Sequence, residues 1–191
     1  DLLQKWFKNN TTTHLVDGKP ITTEKKTGKK IGAIMPVYVL GRFVNIDKLV
    51  EISSTYGIPI IEDSTEALGS FKNGKHAGTY GLTGVLSFNG NKIISTGGGG
   101  MILTNDKDIA KKAKHITTTA KSDPLDYFHD EVGYNYRLVN VLAAIGLAQM
   151  ENFEKILNRK KEIDALYRSE LNGLGDIKFQ DNDPSSDPNC W

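Results

Sequence analysis

Between Ile31 and Ile61 the chain reads as an apolar run, a helix and a second apolar run, an order that leaves few folds open. Ile31-Gly-Ala-Ile-Met-Pro-Val-Tyr-Val-Leu40 is nearly continuous in apolar side chains and ends at Gly41, the pattern of a strand buried on both faces of a mostly parallel sheet. Ile46 to Tyr56 places Ile46, Leu49, Val50 and Ile52 at roughly helical spacing, with Asn45 to cap the start and Gly57 to end it. Ile58-Pro-Ile-Ile61 is the next buried strand. Strand, helix and strand over about 30 residues form a βαβ unit, hence a right-handed crossover between parallel strands.

The remaining elements extend this α/β reading. Residues 1–30 are polar and irregular, with threonines at 11–13, and the lysine-rich stretch from Lys19 to Lys30 reads as a solvated hairpin or loop. Lys72-Asn-Gly-Lys75 is a hairpin signal. Val85 to Phe88 and Met101 to Thr104 read as short strands, the second preceded by a tight loop at Gly97-Gly-Gly-Gly100. Asp106 to Ile116 has the pattern of a helix. Residues 117–136 form a long polar connection containing Pro124, a length that is usually functional or disordered. Leu138 to Leu171 is helical in pattern, as one long helix or two joined at a bend.

Composition removes several function classes. The 191 residues are 38% hydrophobic and 25% charged, an ordinary globular composition. Lys and Arg total 24 against 23 Asp and Glu, so a net charge of +1 gives no electrostatic footprint for nucleic acid or an anionic membrane surface. One cysteine, Cys190, excludes an internal disulfide framework and a cysteine-rich zinc site. His14, His76, His115 and His129 lack metal-ligand spacing, so no metal site is expected. No apolar run is long enough to span a bilayer, and the expectation is a soluble protein of the reducing cytoplasm.

Chemistry concentrates in two places. The strand ending in Glu62-Asp63 puts Asp63 where open α/β sheets collect ligands, outside the carboxyl ends of strands; it reads equally as a helix N-cap. Ser87-Phe-Asn-Gly-Asn-Lys92 then places a lysine just after a buried strand and just before the glycine run. An ATPase-type phosphate loop fails on order, because its glycines precede its lysine. A surface lysine beside a flexible turn remains open, as does a Schiff-base lysine that forms an imine with pyridoxal phosphate. That chemistry needs a carboxylate at the pyridine nitrogen, which Asp63 can supply. It also needs a hydroxyl donor for the phosphate, which Ser87 can supply, and room around the amine, which Gly90 leaves.

Ile61-Glu-Asp-Ser-Thr-Glu-Ala-Leu-Gly-Ser70, Ser87-Phe-Asn-Gly-Asn-Lys92, Gly97-Gly-Gly-Gly-Met-Ile102 and Gly133-Tyr-Asn-Tyr-Arg137, in that order, resemble the signatures of the DegT/DnrJ/EryC1/StrS sugar-nucleotide aminotransferases, and Asn-Gly-Asn-Lys is similar to the LegC-like branch. The resemblance covers roughly residues 31 to 171. It implies the central part of a type I pyridoxal-phosphate transferase large domain, aspartate aminotransferase-like, with a mostly parallel sheet flanked by helices. Residues 1–137 would be the cofactor-binding core, and 138–191 a helical segment leading toward an absent or truncated C-terminal domain.

The resemblance also implies roles. Lys92 matches the lysine that holds pyridoxal 5'-phosphate and shuttles the proton. Asp63 matches the acid on the pyridine nitrogen, and Ser87 the serine on the phosphate. Asn135 matches an asparagine that reaches the phosphate in a neighbouring subunit, implying a homodimer with shared active sites. Glu66 falls where many members place a glutamine near the cofactor's phenolic oxygen; a carboxylate there is repelled unless protonated or bridged. Tyr134 and Arg137 flank Asn135 and read equally as packing residues or substrate contacts. The implied reaction moves an amino group from L-glutamate to a keto-sugar nucleotide. Three features depart from the family: no segment matches its N-terminal phosphate-binding part, the sequence stops at Trp191 where members continue into a C-terminal small domain, and Leu82 replaces the usual acid after Gly81. The other reading is therefore a non-catalytic remnant that keeps the fold core.

Overall fold

The structure, a computed structural model, describes residues 2–123 and 125–191. It opens on helix α1 (Leu2–Asn10) and a hairpin of β1 (Thr11–Val16) and β2 (Lys19–Glu24). A hairpin is thus present where Lys19 to Lys30 suggested a hairpin or loop, and α1 corrects the irregular reading of the residues before it. Asp17 and Gly18 both take positive φ, the backbone that a two-residue hairpin turn requires. Phe7 supplies the burial that holds α1, stacking on Tyr56 at 4.8 Å between ring centroids.

The expected strand–helix–strand unit is present, with its first strand reduced. Residues 31–40 do not form a continuous strand. They run beside the next strand in parallel and pair through Ile34 with Ile60 and Val37 with Asp63. Pro36 has no N–H to donate, and a 3-10 turn at Val39–Gly41 ends the segment. Helix α2 (Ile46–Tyr56) is capped as expected: the Asn45 side chain accepts from the Lys48 N–H, and Gly57 turns left-handed at φ 63°. Ile52 of α2 packs with Phe7 and Ile58 in one core cluster, against Ile31 and Ile34.

Strand β3 (Ile61–Asp63) leads to the small hairpin of β4 (Phe71–Lys72) and β5 (Lys75–His76), closed by the expected Asn73-Gly74 turn. β6 (Thr83–Ser87) pairs with β3 in parallel, and β7 (Gly100–Leu103) pairs with β6 antiparallel. Helix α3 (Lys107–Thr117) follows, its N-terminus capped by Asp106. The long polar connection contains a short antiparallel pair, β8 (Lys121–Asp123) with β9 (Phe128–His129); Pro124 lies outside the described residues. The helical stretch is two helices, α4 (Asn140–Met150) and α5 (Phe153–Leu171), and β10 (Ser186–Asp187) returns to pair with β4.

A mostly parallel sheet is therefore not what forms. The sheets are small, and among the described strands only β3 and β6 pair in parallel. The reason lies in the link from Phe88 to Gly99, which reverses the chain where a crossover helix would have kept it parallel. The α/β character stands. Another cluster, Leu86, Phe88 and Ile94 with Phe153 and Ile156, packs this link against α5.

Candidate active site

The parallel pair β3–β6 sets the site. Asp63 lies opposite Val85 in register, and Ser87 is two residues further along β6. With a side-chain period of two, Asp63, Val85 and Ser87 emerge on one face and Glu62, Gly84 and Leu86 on the other. Burial follows this alternation, the second set being fully buried and the first half-buried.

Asp63 Oδ1 accepts from the Thr65 N–H at 3.2 Å, and Oδ2 makes no hydrogen bond among the described residues. Asp63 is also held through its backbone: its N–H donates to Pro36 and its carbonyl accepts from Tyr38. Ser87 Oγ accepts from the Asn89 N–H at 3.3 Å, leaving its proton to donate outward. The glycine run passes alongside. Phe88 donates to the Gly99 carbonyl, Ser87 pairs with Gly100, and Asn89 bridges to Gly97.

Lys92 sits in the link between β6 and β7, where its N–H donates to the Asn89 carbonyl. Its side chain is only 11% exposed, with Nζ 3.7 Å from Glu66 Oε1. Nζ also lies over the face of the Trp191 ring, 5.2 Å from its centroid. Glu66 is itself fixed, Oε2 accepting from the Leu40 N–H at 2.7 Å.

Asn135 stands apart from that group. It bridges to Thr118 and lines a hollow of about 280 Å3 with Gly98, Gly99, Gly100 and Arg137. The glycine run thus lies between Lys92 and Asn135, whose side chain is exposed. Tyr134 stacks on Tyr136 at 5.1 Å. The structure gathers Lys92 with Glu66, sets Asp63 and Ser87 on one sheet face, and leaves Asn135 on an outer edge.

Several residues that hold this arrangement escaped the sequence reading. Glu62, 0% exposed, accepts from the Tyr38 hydroxyl and from the N–H groups of Gly78, Tyr80 and Gly81. An acid following Ile58-Pro-Ile-Ile61 was the available signal. Burial, the bond to Glu62 and its charge together push the Tyr38 phenol far above its usual range, so it stays a donor. His76 accepts from the Gly69 N–H through Nε2, and burial lowers its pKa, keeping it neutral. Asn189 and Trp191, distant in sequence, gave no signal.

His115 Nε2 lies 2.7 Å from Asp130 and 3.3 Å from Glu131, three possible metal ligands whose partners are 15 and 16 residues along. Lys112 already pairs with both oxygens of Glu131. Asp130 is held below the usual carboxylate range by its bond to His115. These contacts account for the cluster as a hydrogen-bonded group joined to the Lys112–Glu131 ion pair.

A lysine amine, a carboxylate at a strand end and a hydroxyl donor fit the groups that pyridoxal phosphate presents: an aldehyde, a pyridine nitrogen and a phosphate. Comparisons with known proteins bear on the family. The chain is 39% identical over 160 residues to a GDP-perosamine synthase of Escherichia coli O157:H7, covering 84% of this chain and 44% of that protein. It is 37% identical over 167 residues to EpsN of Bacillus subtilis (strain 168), assigned by name to the pyridoxal phosphate-dependent aminotransferases, covering 87% of this chain and 43% of that one. Among solved structures, S. venezuelae DesV superposes with a TM-score of 0.77 at 28% identity, over 83% of this chain and 42% of DesV. The chain thus spans less than half the length of the relatives it matches. The fold matches part of theirs, and the aminotransferase family model matches residues 10–191. With nearly the whole chain inside that match, the protein is a member of the DegT/DnrJ/EryC1/StrS aminotransferase family.

Proposed function

We propose that this chain carries the cofactor-lysine part of an aminotransferase that moves an amino group from L-glutamate to a keto-sugar nucleotide in amino-sugar biosynthesis in the cytoplasm. The observation that carries this reading is the Lys92 amine beside Glu66, on a side chain only 11% exposed, in the link that follows Ser87, whose strand pairs in parallel with the strand ending in Asp63. When bound, pyridoxal 5'-phosphate supplies an electron sink for the carbon that loses its proton. Asp63 would hold the pyridine nitrogen protonated, and Ser87 would donate to the phosphate. Lys92 Nζ would bind the cofactor covalently, then carry the proton taken from the amino acid's α-carbon.

The sugar class draws support from the GDP-perosamine synthase relatives and from a UDP-4-amino-4,6-dideoxy-N-acetyl-beta-L-altrosamine transaminase of Campylobacter jejuni, 33% identical over 166 residues. Asn89-Gly90-Asn91-Lys92 supports placement in the LegC-like branch. Residues 1–137 serve in this reading as the cofactor-binding core, with 138–191 as the segment leading from it. A homodimer with shared sites draws support from exposed Asn135 and from α4, where Val141 and Leu147 stay exposed. Asn135 would reach the phosphate bound by the second copy.

The test is to add pyridoxal phosphate, reduce with borohydride and map the modified peptide by mass spectrometry. The expected label falls on Lys92 and is absent in K92A. An unlabelled Lys92 in the wild-type chain would overturn the assignment and favour a non-catalytic fold core.

A further inference from the structure

Asn189 is 0% exposed, far in sequence from the residues it touches. Its side-chain Nδ2 donates to the carbonyls of Glu66 at 2.8 Å and Leu68 at 2.9 Å. Its Oδ1 accepts from the Trp191 N–H at 3.1 Å. Its own N–H donates to Ser70 Oγ at 3.0 Å, and that hydroxyl donates to the Gly41 carbonyl at 2.7 Å. One buried amide therefore ties together the segment bearing Glu66 and the segment bearing Trp191. Those two side chains are the neighbours of the Lys92 amine, at 3.7 Å and 5.2 Å.

We infer that residues 189–191 belong to the Lys92 site, with Asn189 as a positioning residue and the Trp191 ring as one wall against the amine. The inference rests on the reading of Lys92 as the cofactor lysine for its consequence, though not for its geometry. A lysine stem carries several free torsions, and an ammonium in water has no preferred direction. Contacts with an aromatic face and a carboxylate together confine it. The indole Nε1 is buried with no hydrogen-bond partner among the described residues. The ring is thus placed by its backbone bond to Asn189 and its face on Lys92, not by a polar contact of its own. The arrangement gives residues 189–191 a job for cofactor capture: they hold the amine in one place and keep water from that side.

The experiment first uses the full chain without cofactor. Lysines are reductively methylated with carbon-13 formaldehyde, which keeps their charge, and the Lys92 methyl resonance is assigned by its loss in K92R. The Trp191 ring current is expected to move that resonance away from those of the solvent-exposed lysines. W191L should return it to their position. N189A should do the same while circular dichroism stays unchanged. Should N189A fail to fold, W191L, at a half-exposed residue, carries the test alone.

The second arm follows the rate at which pyridoxal phosphate and cyanoborohydride label Lys92. It is expected to fall about three- to tenfold in W191L, where the amine is no longer held in place, and to recover in W191F, the range set by the cost of ordering one long side chain. A Lys92 resonance that W191L leaves in place, or equal labelling rates in wild type and W191L, would overturn the inference. A displaced resonance in a wild-type chain that takes no label supports the arrangement and removes only the aminotransferase reading.

Discussion

The Tyr38 hydroxyl donates to Glu62 Oε2 at 2.6 Å inside the core, so the extended segment before α2 is tied to the strand that ends in Asp63. Gly78, Tyr80 and Gly81 complete the set through their backbone N–H groups. A buried carboxylate is tolerated only when its lone pairs are met, and here four donors meet them. Glu62 faces the core and Asp63 the opposite side of β3. Fixing the first fixes the direction of the second.

Removing one of those donors leaves the carboxylate short of a partner. Y38F is expected to lose about 1–3 kcal/mol of stability in urea denaturation, the usual cost of a bond to a buried charged group. E62L strands three backbone N–H groups as well and should lose more. The Tyr38 pKa is raised in the fold, so the folded state holds the phenolic proton more tightly than the unfolded chain. Its contribution is complete below the ordinary value near 10 and is lost as pH rises beyond that. Wild-type stability should therefore fall above pH 10 more steeply than that of Y38F; parallel alkaline curves would contradict this.

His76 gives the opposite limb. Its Nε2 accepts from the Gly69 N–H at 2.9 Å, a bond that needs the neutral ring, and burial depresses its pKa. Between its ordinary value near 6.5 and the lower folded value, the unfolded chain binds the extra proton. The stabilisation is complete above pH 6.5 and declines as pH falls. H76Q, whose amide oxygen can accept the same bond, should flatten the decline between pH 6.5 and 5 in thermal melts. An unchanged slope would mean that the ring does not titrate in the unfolding equilibrium.

What was legible beforehand divides by distance along the chain. Asn45, Gly57, Asn73-Gly74 and Asp106 act within a few residues of themselves, so caps and turns were readable from local chemistry. The ordered motifs marked Asp63 and Ser87, which close β3 and β6, and Lys92 in the link beyond β6. Helix α1 was missed because Phe7 owes its burial to Tyr56 and Ile52, contacts that a local pattern does not contain. The parallel sheet was over-read because strand patterns carry burial but not direction. Asn189 and Trp191 were invisible for the same reason as α1: Glu66, Leu68 and Lys92, which they meet, lie 99 to 123 residues away.

Lys72 shows the same long reach in a charge. It is almost fully buried on a two-residue strand, with Nζ 2.5 Å from Asp183 and 3.5 Å from Asp47. The pair raises Lys72 and holds Asp183 far below the usual carboxylate range, chiefly through the Lys72 bond and then through Ser185. A carboxylate depressed in the fold stabilises above its ordinary pKa near 3.8 and loses that effect as pH falls below it. D183N should lower the melting temperature at pH 7 and narrow the difference from wild type toward pH 2. K72M keeps the apolar stem in place and should disturb folding less than K72A.

Gly41 is where Asn189 meets the fold. Its φ is 71°, and a Cβ there would stand 1.9 Å from Asn189 Oδ1. G41A therefore combines left-handed strain of about 1–2 kcal/mol with displacement of the buried amide. The total expected is about 2–4 kcal/mol, read in urea. N189A vacates the space the new methyl would take, so the double variant G41A/N189A should lose less than the sum of its parts. Strict additivity would show that the two do not meet.

Glu66 separates charge from geometry. Oε2 accepts from the N–H of Leu40, a residue held at φ 55°, while Oε1 faces Lys92. In E66Q the amide oxygen can keep the Leu40 bond, so stability should stay within about 0.5 kcal/mol of wild type, whereas E66A should lose about 1 kcal/mol. The change in charge acts elsewhere. In the proposed site a carboxylate here faces the cofactor's phenolic oxygen, and two like charges repel, whereas an amide can donate a hydrogen bond to it. E66Q should therefore take up pyridoxal phosphate about threefold or more tightly than wild type in a spectroscopic titration, with E66A weaker than both. If E66Q binds more weakly than wild type, the Glu66 carboxylate serves the Lys92 amine and not the oxygen of the cofactor.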